Sequence, residues 1–393
     1  MRTFFHPRKK YVLAKIEEYG LFDAVWYAAA HPRLGLTPGN AYRHFRLHGM
    51  RDGLSPTPLF RPAGYLARNP DVARAGVPAL FHYLRHGGRE NRPGAHFLIS
   101  PGWIALQVDM ETVENANPLI ALATARTWID PRPMVDTEYL AGQLGSAAAT
   151  TWDALRLYAG RGTPDDLGPH PLFDPAEVRA SGQVPAGVSA LEYYVRSRDN
   201  ARIRPHALID PDRVFESGEI AFPLAADTTL LEELLHRGGN YKGRLSSLFD
   251  AEYYRTQAGS ALPRAGLALE HFLRTGWKKG YWPNAWFDPA AYARRHLSNA
   301  PEENPLVHYA KNGRDAGIDL APEFDQHFYT TRYPEVLDSY DHTPLEHYIE
   351  HGLAENRACR PTPAWHDGFS SWTELRASVR SYYSDVSVLP SSP

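Results

Sequence analysis

The sequence predicts an all-α fold, an elongated α-solenoid of about nine two-helix repeats with a helical cap at each end. Three observations lead to this prediction. The chain repeats itself at intervals of 36 to 40 residues, most repeats contain helix start signals, and apolar residues recur at helical spacing after these signals. Helices this short are unstable alone in water, where about 12 to 15 residues is already marginal. The repeats must therefore stack, and we expect each to contact only its neighbours.

Composition excludes several other classes of protein. The chain has 393 residues, of which 43% are hydrophobic, too many for a disordered chain. Its 42 basic and 45 acidic residues leave a net charge of -3, which gives no electrostatic reason to expect a nucleic-acid or anionic-membrane partner. The single cysteine, Cys359, excludes an internal disulfide framework and a cysteine-based zinc site.

The sequence carries no evident export or membrane-insertion signal. No stretch reaches the roughly 18 to 20 apolar residues of a membrane helix. A basic patch at residues 8–10 is followed by Glu17 and Glu18, without the apolar segment of a secretory signal peptide. We therefore expect a cytoplasmic protein with no transmembrane segment.

The first helix of each repeat is predicted by its opening residues. An apolar residue opens the repeat, and aspartate follows it in seven of nine repeats. Three of these aspartates precede proline, which is typical of a helix start because the carboxylate accepts a free backbone N–H and proline has none to lose. The opening residues are Phe22, Phe60, Leu98, Val135, Phe173, Ile209, Phe249, Phe287 and Phe324, and the aspartates are Asp23, Asp136, Asp174, Asp210, Asp250, Asp288 and Asp325.

A second large apolar residue lies five positions after each opening residue. At helical spacing it falls on the same face as the opening residue, so we expect both to be buried. These core positions are Tyr27, Tyr65, Trp103, Leu140, Val178, Val214, Tyr254, Tyr292 and Tyr329.

The second helix of each repeat has its own start signals. Thr343 with Glu346, Thr229 with Glu232, and Ser189 with Glu192 have capping-box spacing, in which the hydroxyl and the glutamate each bind a free backbone N–H. Two other repeats place asparagine before proline, at Asn117-Pro118 and Asn304-Pro305.

Glycine marks the end of the second helix in seven repeats. We expect these glycines to adopt the left-handed conformation that closes a helix. Arg126 and Arg198 replace glycine in the third and fifth repeats. A second glycine or asparagine four residues later indicates a tight turn before an extended connector. The first set is Gly49, Gly87, Gly162, Gly238, Gly276, Gly313 and Gly352, and the second is Gly53, Asn91, Gly280, Gly317 and Asn356.

The pattern divides the chain into four parts. Residues 1–21 are predicted to form an N-terminal cap helix with Tyr11, Val12 and Ile16 on one face, and residues 22–363 hold the nine repeats of about 38 residues. Residues 364–383 are predicted to form a C-terminal capping helix, and residues 384–393 a linker or tail that could lead to a further domain. The capping helix would present Trp365, Trp372, Leu375 and Val379.

Two stretches carry a resemblance to a known repeat. Residues 60–92 (FRPAGYLARNPDVARAGVPALFHYLRHGGRENR) and 324–357 (FDQHFYTTRYPEVLDSYDHTPLEHYIEHGLAENR) are similar to the bacterial repeat FDxxYYLxxNPDVxxxGxxPLxHYLxxGxxEGR. That repeat is found N-terminal to catalytic domains in bacterial glycosyltransferases and rhamnan-synthesis-type proteins that build surface polysaccharide. Similar units also occur in some large secreted proteins. The resemblance is strong in the first, second and seventh to ninth repeats and implies architecture, since the module brings no catalytic residues.

Histidine recurs at one position of the second helix, in five repeats. A metal ladder would need the ligands of one ion about 2 Å from it, whereas packed helices lie about 8 to 10 Å apart. We therefore expect each ring to have a structural role, bonded to a neighbouring backbone carbonyl. These histidines are His44, His82, His271, His308 and His347.

Two acidic pairs resemble metal ligands. Asp210-Pro-Asp212 is the chain's one Asp-x-Asp, the pattern with which a glycosyltransferase holds a divalent ion and a sugar nucleotide. Because Asp210 is in phase with the other capping aspartates, we expect it to cap a helix. Asp165-Asp166 is predicted to lie in a solvated loop. No dinucleotide-binding, P-loop or nucleophile-elbow motif occurs, so we expect no cofactor.

A cluster of aromatic residues is the candidate binding site. Trp277, Tyr281, Trp282 and Trp286 surround the connector between the seventh and eighth repeats. Tryptophans can stack on sugar faces, but aromatic rings also dominate packing energy, and burial between repeats is the alternative interpretation.

Three hypotheses for function follow. The leading one is a non-catalytic scaffold for bacterial surface polysaccharide synthesis, which docks a glycosyltransferase, another partner protein or the glycan. The second is a cryptic or fragmentary glycosyltransferase, with its donor site in the third to sixth repeats or its catalytic domain downstream. The third is an RNA-binding helical repeat, which needs a basic groove and is disfavoured by the net charge.

Overall fold

A computed structural model describes residues 5–93, 96–180, 183–197, 200–225, 228–263, 266–313, 324–339 and 343–361. Over these residues the secondary structure is helical and contains no β-strand, so the predicted all-α class is confirmed. The predicted C-terminal capping helix and tail, residues 364–393, lie outside the described residues, as do Arg198 and Gly317. No helix in the described part is long and apolar enough to span a membrane.

The helices are short and follow the sequence repeat. Those in the described part of the chain are α1 (Phe5–Tyr19), α2 (Ala24–Ala30), α3 (Pro38–His44), α4 (Pro62–Arg68), α5 (Pro70–Arg74), α6 (Ala79–His82), α7 (Pro101–Ala105), α8 (Pro118–Thr124), α9 (Thr137–Leu144), α10 (Thr151–Gly160), α11 (Pro175–Ala180), α12 (Ala190–Arg196), α13 (Pro211–Glu216), α14 (Leu230–Arg237), α15 (Ala251–Ala258), α16 (Ala268–His271), α17 (Pro289–His296), α18 (Pro305–Asn312), α19 (Gln326–Arg332), α20 (Glu335–Ser339) and α21 (Pro344–His347).

The described residues fall into two compact regions. The first region lies within Met1–His206 and Ile220–Gly238, and the second lies within Ala207–Glu219 and Gly239–Pro393. The sixth repeat is divided between them, because α13 belongs to the second region and α14 to the first.

The predicted helix starts are confirmed at all seven aspartates. Each carboxylate accepts a backbone N–H two or three residues later, as between Asp23 and Trp26 at 2.9 Å. Eight of the nine predicted core residues are at most 1% exposed. The exception is Trp103, which is half-buried, while its neighbour Ile104 is fully buried.

The third repeat therefore begins one residue later than predicted. Ser100 occupies the N-cap position of α7, and Ile99 precedes it in the place that phenylalanine takes in other repeats. The sequence could not settle this phase, since Leu98 and Ile99 are both apolar and no aspartate follows them.

In the described part of the chain, seven of the nine repeats are closed by a backbone hydrogen bond that the sequence did not predict. The N–H of the residue capping the first helix donates to a carbonyl in the connector at the end of the same repeat. The acceptor lies four residues before the next repeat and is proline in five cases. Cys359 matches no residue type shared by the other connectors, and its carbonyl is the acceptor in the ninth repeat. The bonds are Asp23 to Pro56, Ser100 to Pro131, Asp136 to Pro169, Asp174 to Pro205, Asp210 to Leu245, Asp250 to Pro283 and Asp325 to Cys359, at 2.7 to 2.9 Å.

The second helices start as predicted, with one difference. Thr229 and Thr343 form complete capping boxes, and Asn117 and Asn304 accept two backbone N–H groups each. Ser189 also caps its helix, but the Glu192 carboxylate lies against Arg61 and Arg196.

The expected left-handed conformation is wrong at six of the seven glycines. Gly162 has a φ of 78°, whereas Gly238 combines a φ of 49° with a ψ of -128°, which lies outside the left-handed helical region. At Gly49, Gly87, Gly276 and Gly352 the second helix instead ends in a five-residue π-turn. Gly313 stays right-handed at φ -70°. The left-handed residue comes four positions later, at Gly53, Asn91, Gly280 and Asn356, where the sequence predicts the tight turn.

Contacts are not confined to neighbouring repeats, so that expectation is wrong. In the first region Arg156 of the fourth repeat donates to Asp23 of the first at 2.8 Å, and Arg61 of the second repeat pairs with Glu192 of the fifth at 3.3 Å. In the second region Arg213 of the sixth repeat pairs with Glu350 of the ninth. The sequence period sets the length of a repeat but not the rotation between successive repeats, and it is this rotation that brings repeats three apart together.

Candidate functional site

The recurring histidines bind tyrosines of their own repeat. In each of the five repeats the histidine Nδ1 lies within hydrogen-bond distance of the hydroxyl of the core tyrosine on the first helix. The structural role is as expected, but the partner is a side chain and not the predicted backbone carbonyl. The pairs are Tyr27–His44 (3.0 Å), Tyr65–His82 (2.8 Å), Tyr254–His271 (2.6 Å), Tyr292–His308 (2.8 Å) and Tyr329–His347 (2.9 Å).

Burial favours the neutral form in three of the histidines. It lowers the pKa of His82, His271 and His347 and raises the pKa of Tyr27 to about 12. A neutral imidazole and a neutral phenol can share one hydrogen bond between the two helices of a repeat. The hydrogen bond therefore stabilises the repeat by joining its two helices.

The glycine that ends the second helix leaves room for this tyrosine. A methyl group at Gly49 would overlap the Tyr27 hydroxyl, and one at Gly352 would lie 2.6 Å from the Tyr329 hydroxyl. Close approach of the tyrosine to the helix backbone is thus the reason for glycine here.

The acidic pairs are occupied by the backbone or by arginines. Asp210 accepts the backbone N–H groups of Asp212 and Arg213, as expected of a helix cap. Asp165 accepts the Ala190 N–H and pairs with Arg179, so it ties its loop to α12. Its side chain is 25% exposed, less than a freely solvated loop would give.

The four predicted aromatic residues do not share one platform. Tyr281 packs edge-on against Tyr254 at 6.1 Å, whereas Trp286 makes an edge contact with Tyr348 at 5.1 Å. The half-buried Trp277 donates its indole N–H to the Leu273 carbonyl, and half-buried Trp282 is held through its backbone by Gln257. Trp286 is 6% exposed.

Trp286 nevertheless lines a cavity in the second region. This cavity of about 270 Å³ adjoins a second one of about 450 Å³, and the two share Arg244, Phe249 and Asp250. We call the pair the Arg244 groove. The smaller cavity is further lined by Ser246, Ser247, Tyr253, Asn284, Ala285, Trp286, Ile349 and Leu353, and the larger by Tyr241, Lys242, Gly243, Leu245, Ala251, Glu252, Arg255, Leu267, Ala268 and Leu269.

The Arg244 groove contains two arginine side chains without a partner among the described residues. Arg244 is exposed and Arg255 half-buried, and neither guanidinium makes a hydrogen bond or ion pair with any residue that the structure describes. Asp250, in contrast, is committed to capping α15, where it accepts the N–H groups of Glu252 and Tyr253. The groove can therefore supply cationic donors to a ligand.

Hydroxyl groups and a carboxylate lie at the other end. The Ser247 hydroxyl donates to Glu350, which also pairs with Arg213. Ser246 accepts the Leu248 N–H, and Asn284 holds the connector through the Leu248 carbonyl and the Trp286 N–H. These bonds fix the backbone that carries Trp286 and Ser247.

The first region holds a larger cavity with a different charge state. It measures about 490 Å³, and Tyr19, Asp109 and Glu114 are part of its lining. Glu114 is already bonded by Lys15 at 2.7 Å and by Tyr19 at 2.6 Å. The Glu114 carboxylate is thus neutralised by groups of the protein itself. The Arg244 groove is therefore the candidate site.

Sequence reasoning missed Arg244, Arg255 and Ser247. One signal was available, because the connector at residues 244–247 places Leu245 where five other connectors have proline. A single arginine in a connector carries no pattern of its own, so its partners became evident only from the fold.

Comparisons of the chain with protein-family models, with curated protein sequences and with solved structures return no match.

Proposed function

We propose that the chain is a non-catalytic helical-repeat scaffold, a solenoid of about nine two-helix repeats, that acts in bacterial surface polysaccharide synthesis. It would dock a glycosyltransferase, a partner protein or the growing glycan, at the cytoplasmic side of the cell. The observation that carries the proposal is the recurrence of one closure: a cap N–H bound to the connector of its own repeat, from Asp23 to Asp325.

Two further observations support a scaffold. Repeats three apart are tied by ion pairs such as Arg156 with Asp23, which favours a firm surface over a flexible string. The Arg244 groove offers the unpaired Arg244 guanidinium beside Tyr253 and Trp286 on that surface. The resemblance of residues 60–92 and 324–357 to polysaccharide-associated repeats is the reason for assigning the scaffold to polysaccharide synthesis.

A transferase in these residues receives no support from the Asp-x-Asp pattern. One oxygen of the Asp210 carboxylate accepts two backbone N–H groups, which gives this residue a structural role at the start of its helix. Calorimetry with nucleotide sugars and Mn²⁺ or Mg²⁺ tests this alternative. Saturable binding of a nucleotide sugar would support a transferase.

Affinity capture from a polysaccharide-producing bacterium that carries the gene tests the scaffold. The full chain is the bait, and Arg156→Glu, which opposes Asp23, is the matched bait with a disturbed surface. We expect a glycosyltransferase or another glycan-synthesis protein to be enriched by the native chain and reduced with the variant. Absence of any such protein, with capture confirmed for the bait itself, would count against the proposal.

A further inference from the structure

The Arg244 groove has the charge, shape and lining for one class of ligand. We propose that it binds an acidic oligosaccharide, with the carboxylate of a sugar acid held by Arg244 and Arg255 and the adjoining sugar seated against Tyr253 and Trp286. This inference rests on the proposed function, because it names the kind of glycan that the scaffold would hold.

The larger cavity supplies the anion site. Arg244, Arg255 and Lys242 line it together with Asp250 and Glu252, and Asp250 is committed to its helix cap. The Lys242 ammonium donates one of its three N–H groups to the Gly239 carbonyl, so the lining presents three positive charges against the two carboxylates of Asp250 and Glu252. A guanidinium presents paired N–H donors that match the two oxygens of a carboxylate.

The smaller cavity suits the neutral part of a saccharide. Tyr253 and Trp286 give aromatic surface, and Ser246, Ser247 and Asn284 give polar atoms held in place by hydrogen bonds to the backbone or to Glu350. Aromatic surface beside fixed hydroxyl and amide groups is the combination that packs against sugar C–H groups and hydrogen-bonds sugar hydroxyls.

The two cavities are neighbours. Arg244, Phe249 and Asp250 line both, and we place the acidic ring of the ligand in the larger cavity and the neutral ring in the smaller one. Their volumes, about 450 and 270 Å³, lie near the range of small-molecule sites, roughly 300 to 1,000 Å³. A nucleotide phosphate is the competing ligand, because the glycine-containing connector at residues 238–244 supplies Lys242, Gly243 and Arg244 to the larger cavity.

Calorimetry on the full chain tests the proposal with defined probes. The panel is oligogalacturonate and hyaluronan fragments as acidic saccharides, malto-oligosaccharides of equal length as neutral ones, and inorganic phosphate and uridine diphosphate as anions without the saccharide. We expect saturable binding of at least one acidic oligosaccharide, weakening as salt rises, with no saturable binding of the neutral series.

Variants place the binding in the groove. Arg244→Ala and Arg255→Ala should each weaken binding about tenfold or more, as expected for a charged hydrogen-bond partner. The matched control is Arg294→Ala, which removes the same charge from an exposed position on α17 away from the groove. Arg244 is exposed, so its removal should leave the melting temperature unchanged.

Four results would overturn the proposal, and three of them need measurable binding. These three are equal binding of neutral and acidic oligosaccharides, binding of phosphate or uridine diphosphate as tight as that of the acidic saccharide, and unchanged affinity in both groove variants. No saturable binding across the acidic panel has the same meaning. Failure of the scaffold is separate, because it is measured by protein capture, and the groove can bind glycan whether or not a partner protein is retained.

Discussion

The five repeats that keep the consensus and the four that depart from it are closed in different ways. In the first, second, seventh, eighth and ninth repeats a core tyrosine bonds a histidine across the two helices, as Tyr65 does with His82. In the third to sixth repeats the same core position is aliphatic and has no hydroxyl to bond. There the second helices are bonded to other repeats, as when Arg132 pairs with Glu232 at 2.6 Å.

We call the tyrosine–histidine bond the local closure and the ion pair of Arg132 with Glu232 the long-range closure. Ion pairs between distant repeats also occur in the consensus group, since Glu350 of the ninth repeat pairs with Arg213 of the sixth. Where the tyrosine hydroxyl approaches the end of the second helix, as at Gly49, Gly276 and Gly352, only glycine leaves room for it. In the fourth repeat, where the core residue is Leu140, Gly162 has open space around it and a left-handed backbone. The divergent repeats have thus kept glycine at this position for a different physical reason.

The largest expected effect is at the long-range closure. Arg132 and Glu232 are each 7% exposed in their side chains, so Arg132→Met would leave a buried carboxylate without its partner. We expect a loss of about 3 to 5 kcal/mol in the free energy of unfolding of the first region. Urea unfolding at pH 7 measures it.

A double variant separates the charge from the packing. Glu232→Gln retains the capping box with Thr229, which accepts either glutamate or glutamine, and removes the charge. Arg132→Met with Glu232→Gln should therefore be more stable than Arg132→Met alone. If the double variant is the less stable of the two, the buried charge is not the cause. Asp52→Asn, at the exposed pair with Arg51, is the control and should change stability by less than about 1 kcal/mol.

The local closure gives the next largest effect. Gly49→Ala places a methyl group on the Tyr27 hydroxyl, and overpacking of this kind costs about 1 to 3 kcal/mol. Tyr27→Phe removes the hydroxyl, so the double variant should lose less stability than the sum of the two single variants. A double-mutant cycle by urea unfolding measures the coupling.

The fourth repeat supplies the matched variant. Gly162→Ala also destabilises, by about 1 to 2 kcal/mol, because its φ of 78° is unfavourable for alanine. A Cβ at Gly162 would meet no atom within 4 Å, so steric overlap does not add to this cost. Additive effects in the Gly49 and Tyr27 cycle would contradict the steric explanation.

The elements that the sequence predicts are those whose causes lie close together in the chain. Asp23 caps a helix three residues away and Tyr27 follows by helical spacing, so composition and period locate both. The predicted start of the third repeat at Leu98 was wrong by one residue, because Leu98 and Ile99 are both apolar and no capping aspartate follows them. The predicted left-handed conformation was wrong at Gly49, because glycine is needed there to leave room for a side chain from another helix.

Contacts over more than 100 residues depend on the rotation between repeats, which no single repeat encodes. Arg156 meets Asp23 and Arg213 meets Glu350 although neither pair has a pattern in the sequence. The same holds for the candidate site. Of the predicted aromatic cluster, Trp286 lines the Arg244 groove, but Arg244 and Arg255 are indistinguishable in sequence from other surface arginines.

A smaller effect is expected from a single hydroxyl in the seventh repeat. Tyr254→Phe removes the 2.6 Å hydrogen bond to His271 and should cost about 1 kcal/mol. Tyr281→Phe is its control, because Tyr281 packs against the same two rings and its hydroxyl makes no hydrogen bond to a described residue. Thermal unfolding of both variants should show a lower midpoint for Tyr254→Phe alone, and equal midpoints would argue against a stabilising role for the pair.

The smallest effect is on the pH dependence of stability, and its sign follows from burial. Burial lowers the pKa of His82, although Glu90 opposes this and Arg92 and His86 reinforce it. The unfolded chain, with histidine pKa near its usual value of about 6.5, then binds more protons than the folded chain. Stability is therefore present above pH 6.5 and is lost as the pH falls from there towards the folded pKa. His82→Gln keeps a hydrogen-bonding partner for Tyr65 and cannot titrate, so urea unfolding at pH 7.5 and 5.5 should show a smaller acid loss in this variant. An unchanged acid loss would mean that His82 has the same pKa in the folded and unfolded chain, and that the consensus pairs contribute geometry without pH sensitivity.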